Sequence, residues 1–322
     1  MKRFLLFLLV LLSLSSCKKK LKDDLGCSDF RQAMRDFVVT ISQTAKSENP
    51  DFIVIPQNGI ELIVAGDEVA SPLAKSYLAA IDGHGQEDLF YGYHSDDLPT
   101  PNSETEYLLS YLRRSRNEGK TVLVTDYCGK QEHIADSYAR CAAEGFVSFP
   151  APHRSLDIIP QNGAHNENSD TIRQLSDIRN FLYLINPEEF NTKQDFINAV
   201  CATNYDLLIM DMFAEGGAAF TKEEVERLRD KANGGRRLVI CYLSIGEAED
   251  YRYYWNSTWN SNPPAWLERE NPDWAGNYKV RYWYPEWQSI ICTSRDSYLQ
   301  RIIAAGFDGV YLDIIDAYEY FE

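Results

Sequence analysis

The sequence predicts an α/β fold, a (β/α)8 TIM barrel. Short β-rich runs alternate with segments of helical period, which means parallel strands joined by helices. About eight such runs occur in roughly 300 residues, the count and length of a barrel. Neither a GxGxxG after the first run nor a Walker motif is present, so the common nucleotide-binding folds lack their signatures. The chain has 322 residues, 44% hydrophobic and 25% charged, enough to bury one large core.

The elements follow in order. Lys2 and Arg3 precede an apolar run over 4–12 that is too short to span a bilayer, and small residues lead to Cys17. Residues 1–16 therefore read as an export signal. Leu14-Ser-Ser-Cys17 resembles a bacterial lipoprotein box, which implies a lipid on Cys17, a polar tether over 17–27 and a lipid anchor in the outer membrane, on its periplasmic or cell-surface side. Residues 28–322 form the barrel domain. Strands are expected at 52–56, within 79–86, and at 121–125, 181–185, 207–210, 238–242, 280–283 and 309–312. Helix starts are read at Ser71-Pro72, Ser103-Glu-Thr-Glu106 and Thr221-Lys-Glu-Glu224. A polar stretch over 150–177, rich in Pro, Asn and Gly, joins a half at 28–152 to one at 178–322.

Composition narrows the partners. Lys and Arg total 32 against 48 Asp and Glu, a net charge of −16, which repels phosphate backbones and excludes nucleic acid as an expected partner. Beyond Cys17 there are six cysteines, which allow 15 pairings; Cys201 and Cys241 lie in apolar runs and are expected to be buried free thiols. The five histidines include no HExxH arrangement, and neither a metal nor another cofactor is expected.

Barrel enzymes carry their chemistry at the C-terminal ends of strands. There the sequence places Asn58, Glu87, Asp126, Asp211, Ser244, Glu247, Asp313 and Asp316. Several acids on one rim suit glycoside hydrolysis, in which one carboxyl group protonates the leaving oxygen and another attacks or activates water. All six tryptophans fall between Trp255 and Trp287, and aromatic faces stack on sugar rings; Trp283 and Trp287 are expected against substrate.

Four segments carry a family resemblance: Tyr242-Leu-Ser-Ile-Gly-Glu-Ala-Glu-Asp-Tyr-Arg252, Asn271-Pro-Asp-Trp-Ala-Gly-Asn-Tyr278, Tyr282-Trp-Tyr-Pro-Glu-Trp287, and the stretch from Gly306 through Val310-Tyr-Leu-Asp313 to Tyr318. Together they resemble glycoside hydrolase family 114, barrels related to endo-α-1,4-polygalactosaminidases. The resemblance implies a circular permutation, because segments that follow the Asp313 strand in the family stand first here. It also implies Asp313 as nucleophile, at the end of the family's strand five, and Glu87 as acid/base, at the end of strand seven. Asp316, Asp211, Asn58, Tyr242, Glu247 and Asp126 would line the subsites of a polysaccharide, cationic where its amino groups are free. Three readings of function stay open at this stage: a hydrolase, a non-catalytic surface glycan-binding lipoprotein, and a structural lipoprotein in which the barrel only packs.

Overall fold

The computed structural model describes residues 26–322; the expected signal (1–16), Cys17 and most of the 17–27 tether lie outside the described residues. The strands are β1 (Ile53–Pro56), β2 (Gly83–Glu87), β3 (Thr121–Tyr127), β4 (Val147–Ala151), β5 (Leu182–Tyr183), β6 (Leu207–Met210), β7 (Leu238–Ser244), β8 (Glu247–Glu249), β9 (Leu267–Glu270), β10 (Asn277–Val280) and β11 (Gly309–Asp313). The helices are α1 (Phe30–Glu48), α2 (Lys75–Ala80), α3 (Asn102–Asn117), α4 (Gln131–Glu144), α5 (Lys193–Cys201), α6 (Lys222–Leu228), α7 (Pro285–Gln288) and α8 (Tyr298–Ala304).

Eight strands run parallel in two ladders, β1-β11-β7-β6-β5 and β2-β3-β4. A single bridge, Gln57 to Gly85, joins the ladders on one side. On the other side no strand pairing joins β4 to β5, although Phe149 and Phe181 meet there with ring centroids 5.5 Å apart. The sheet is strongly curled. β5 and β1 are four strands apart in their ladder, about 19 Å if it were flat. Yet the Tyr183 hydroxyl of β5 donates to Gln57 Oε1, just beyond β1, at 3.1 Å. The interior is filled by side chains at alternate positions: Tyr183 packs on Tyr311 at 5.2 Å, and a Cβ at Gly85 would lie 2.0 Å from the Tyr311 hydroxyl, so only glycine admits that ring.

Two expected elements change. The run 280–283 is not a sheet strand. Val280 ends β10, which pairs antiparallel with β8 and β9 in a small separate sheet, and Arg281 to Tyr284 form a turn into Pro285. The missing parallel strand is β4, which overlaps the start of the expected linker. Its Pro150 is tolerated because β4 pairs on one side only. Counted round the ring from β5, Asp313 therefore ends the fourth strand and Glu87 the sixth, rather than the fifth and seventh. They remain two strands apart.

Thr221 and Glu224 form the expected capping box at α6. The Ser103 box does not form, since Asn102 already opens α3, and Ser71-Pro72 lies ahead of α2 in a bend. The linker after β4 is tied down rather than slack: the Asn168 amide donates to Asp206, which forms a fully buried ion pair with Lys231 at 2.9 Å. Cys128, Cys141, Cys201, Cys241 and Cys292 are free thiols; Cys241 is buried as expected, while Cys201 is only half-buried. Among the described residues no helix is long and apolar enough to cross a membrane. The last and first parts of the described chain meet, with Arg31 bidentate to Glu322 and Phe30 packed on Phe321.

Candidate active site

The C-terminal ends of the parallel strands surround a cleft of about 820 Å³, within the size range of ligand-binding sites. Glu87 ends β2 and Asp313 ends β11, with the β1 end between them. Gln57, leaving β1, occupies that middle position. Its Nε2 donates to Glu87 Oε2 and to Asp313 Oδ1, both at 2.9 Å. The two carboxylate oxygens thus lie within twice that distance of each other. Tyr183 donates to Gln57 Oε1, which fixes the amide so that its NH2 end faces the acids.

Each acid has its own further donors. Asn58 Nδ2 donates to Glu87 Oε2 at 3.0 Å, while Asn58 Oδ1 accepts the Glu87 backbone N–H at 3.1 Å, so one side chain clips both ends of the residue. The Tyr127 hydroxyl donates to Glu87 Oε1. On the other side, the Tyr242 hydroxyl donates to Asp313 Oδ2 at 2.6 Å, and the backbone of Ile314 adds a hydrogen bond. Buried His84 supports the Asn58 carbonyl through Nε2 at 3.0 Å, and burial lowers its pKa to about 4, so it is neutral and Nε2 is the donor.

The backbone turns sharply after each of the three groups. Asn58, Asp88 and Ile314, the residues that follow Gln57, Glu87 and Asp313, all have φ between 56° and 60°. For a β-branched isoleucine that left-handed conformation is strained, of the kind found at functional sites. The turn is held where a Cβ on Gly246 would lie 2.2 Å from the Ile314 carbonyl oxygen, which only glycine avoids.

Electrostatics separate the two acids. Burial first, and then the charge of Asp313, push Glu87 up to about 7, against the pull of its donors Tyr127 and Asn58. Asp313 is also raised by burial, but the hydrogen bonds from Tyr242 and Ile314 pull it back. Both acids sit above the usual carboxylate range, so the pair as a unit holds a proton near neutral pH. Asp316, also on the cleft, is pushed to about 7 by burial and by the charge of Asp313.

The other expected residues divide. Asn58, Tyr242, Glu247, Asp211 and Asp316 line the cleft with the two acids. Asp211 is already engaged, with its oxygens held by Arg252 at 2.6 and 2.8 Å, and Glu247 by Asn271 at 2.8 Å and Lys279 at 3.2 Å. Asp126 is a correction. It is fully buried on the helix side of β3, where it accepts from the Phe90 and Tyr91 backbone and from Ser137, so it holds a loop. Trp287 and Trp283 are corrections too. Trp287 is fully buried with its indole N–H on the Ile245 carbonyl, and Trp283 packs on Phe30 and Phe321, away from the cleft.

Gln57, Tyr127, Tyr183 and Arg154 escaped the sequence reading. Strand alternation could have found the first two: Gln57 continues the inward face of Ile55, and Tyr127 that of Thr125, which puts Asp126 outside. Arg154 stacks over the Tyr127 ring at 3.9 Å and is held by Asp88 and Asp96. Among the described residues no group of three or more His, Cys, Asp or Glu is arranged to hold a metal ion.

Residues 183–322 match the model of glycoside-hydrolase family GH114. An uncharacterised protein of Methanocaldococcus jannaschii is 41% identical over 181 residues, 54% of this chain and 49% of the relative. Uncharacterised proteins of Deinococcus radiodurans and Thermotoga maritima are 46% and 39% identical over 126 and 123 residues, covering 39% and 38% of this chain. The matches thus span between 36% and 49% of the relatives' own lengths.

Proposed function

We propose that this chain, whose residues 183–322 belong to glycoside-hydrolase family GH114, is a glycosidase that cleaves an amino-sugar polysaccharide with Asp313 as nucleophile and Glu87 as acid/base. The observation that carries the reading is the shared Gln57 nitrogen, 2.9 Å from an oxygen of each acid. The two bridged oxygens lie no more than 5.8 Å apart (twice 2.9 Å), which favours the roughly 5–5.5 Å carboxyl spacing of retaining enzymes over the wider spacing of inverting ones. In the first step Asp313 attacks the anomeric carbon while protonated Glu87 gives its proton to the leaving oxygen. In the second, ionised Glu87 takes a proton from water, which displaces Asp313. Tyr242 holds the attacking carboxylate in line, and Tyr127 and Asn58 hold the acid.

Charge supports an amine-bearing substrate. The cations on the cleft, Arg154 and Arg252, are both occupied by protein carboxylates. Asp316 and Glu188 face the cleft without an ion pair among the described residues. A polymer of partly deacetylated galactosamine would meet this acidic rim favourably. The ring order β5-β6-β7-β11 followed by β1-β2-β3-β4 supports a circularly permuted (β/α)8 barrel. In this reading α1 is the helix that follows β11, since Phe30 and Arg31 at its start meet Phe321 and Glu322 just beyond that strand. A lipid on Cys17 would place the enzyme at the cell envelope, where such polymers are met.

The test is reducing-end release from de-N-acetylated galactosamine polymer. Activity requires Glu87 protonated and Asp313 ionised, so it should fall as pH rises through about 7. Asp313→Asn should lower kcat by on the order of 10⁴ or more. Full activity in that variant, or a rate that keeps rising above pH 8, would reject the assignment.

A further inference from the structure

We infer that Tyr251 and Trp274 form an outer platform on which a second sugar ring of the substrate stacks, making the cleft a site for an extended chain rather than a single residue. The inference rests on the glycosidase reading and deepens it.

Among the described residues these are the two most exposed aromatic side chains, at 62% and 56%, and both line the cleft that holds Glu87 and Asp313. Trp274 differs from the other five tryptophans. Each of those makes at least one ring contact, and Trp266 and Trp287 are buried, whereas Trp274 makes no ring contact with a described residue. An unstacked indole held out in water at the edge of a carboxylate-lined cleft has its apolar face free for a partner.

The Tyr251 ring and the Trp274 backbone are held in place. The Tyr251 hydroxyl donates to Glu249 Oε1 at 2.7 Å, and the Arg252 guanidinium lies 5.2 Å from its ring centre. Trp274 sits in a closed turn between β9 and β10, where Asn271 N–H reaches the Asn277 carbonyl at 2.6 Å and Asn277 N–H the Trp274 carbonyl at 3.1 Å. The two segments touch at Gly276, where φ is +84°; a Cβ there would lie 3.5 Å from the Tyr251 ring and 2.9 Å from Asp250 Oδ1. With only two χ angles, Tyr and Trp lose little entropy when a ligand stacks on them. The apolar C–H face of a pyranose is the matching surface, and Asn277, also on the cleft, offers an amide to its hydroxyl edge.

Binding is measured on the full chain carrying Asp313→Asn, so that substrate is not consumed. The probes are de-N-acetylated galactosamine monosaccharide and hexasaccharide, followed by calorimetry. Adding Trp274→Ala or Tyr251→Ala should weaken the hexasaccharide about tenfold and leave the monosaccharide unchanged, with unaltered circular dichroism. Tyr251→Phe should retain most of the affinity, since the ring remains. If the Asp313→Asn parent binds the hexasaccharide and Trp274→Ala binds it equally, the platform is wrong and the glycosidase reading stands. Equal glycan binding together with loss of self-association in ultracentrifugation would give this face to a second copy and likewise overturn the platform. If the parent binds no amino sugar at all, the glycosidase reading fails and takes the platform with it.

Discussion

Two clusters on the same cleft are built on one plan and behave differently. In each, a single nitrogen-bearing side chain bridges two carboxylates that the fold has drawn out of water. At the first, Gln57 bridges Glu87 and Asp313; at the second, Arg252 bridges Asp211 and Glu249, with contacts of 2.6 to 3.1 Å. The amide offers hydrogen bonds and no charge, so the repulsion between its two acids persists and one of them keeps a proton near neutrality. The guanidinium offers hydrogen bonds and a full charge, which satisfies its acids and leaves nothing to react. A neutral bridge creates an acid–base pair, whereas a cationic bridge makes a strut. The strut also carries Tyr251 beside it, so the inert cluster positions the wall of the reactive one.

The largest effect should come from breaking the strut. Arg252→Met would leave Asp211 and Glu249 buried without their cation, and removing one partner of a buried ion pair costs about 3–5 kcal/mol. Denaturant unfolding of wild type and variant measures this directly. Arg252→Lys should recover only part of the loss, because an ammonium cannot grip both carboxylates with a planar fork. A variant as stable as wild type would show that the bridge charge is irrelevant there, and the contrast between the clusters would lapse.

Much of this arrangement can be read from the residues, and the limits have physical causes. The apolar runs that become β1, β3, β6 and β7 announce themselves because strands buried on both faces need continuous apolar side chains. Asp313 and Glu87 stand out as charges at strand ends. Gln57 does not, since an uncharged amide beside an asparagine has no compositional signal until the partner acids are placed around it. Asp126 misleads for the opposite reason: it has the right type at the right strand end, but a shift of one position turns it to the helix side, where it caps a loop. Residues 280–283 read as a strand because Val, Tyr and Trp favour extended backbone, yet β propensity says nothing about which sheet receives it. Conversely, Pro150 hides β4, because proline signals a break everywhere except on a strand paired along one side.

Converting one bridge into the other gives a mid-sized effect. Gln57→Lys would set a cation between Glu87 and Asp313. A neighbouring positive charge favours the ionised carboxylate, so Glu87 should drop below its present value of about 7 and the alkaline limb of the activity profile should move to lower pH. At pH 7 the acid would then be largely deprotonated, and kcat should fall about 100-fold, the lower end of what general acid catalysis supplies. Gln57→Leu removes the donor without adding charge, so its limb should move the other way. Limbs that shift in the same direction for both variants would mean that packing, not bridge charge, sets the pair's proton affinity.

The smallest effect probes how the neutral bridge is oriented. Gln57 can serve both acids only while its NH2 end faces them, and the Tyr183 hydroxyl secures this by occupying Oε1. Tyr183→Phe removes that one hydrogen bond, worth about 1 kcal/mol, and keeps the ring packed on Tyr311. The amide would then be free to rotate and turn its carbonyl oxygen toward a carboxylate, an arrangement that disfavours the ionised form and raises the pair further. Loss of about 1 kcal/mol of positioning corresponds to a kcat about fivefold lower, with KM unchanged because Tyr183 supports the bridge from beneath. The alkaline limb should move up rather than down, opposite to Gln57→Lys, and that opposition separates a role in orientation from a loss of packing, which would lower stability and leave the limb in place.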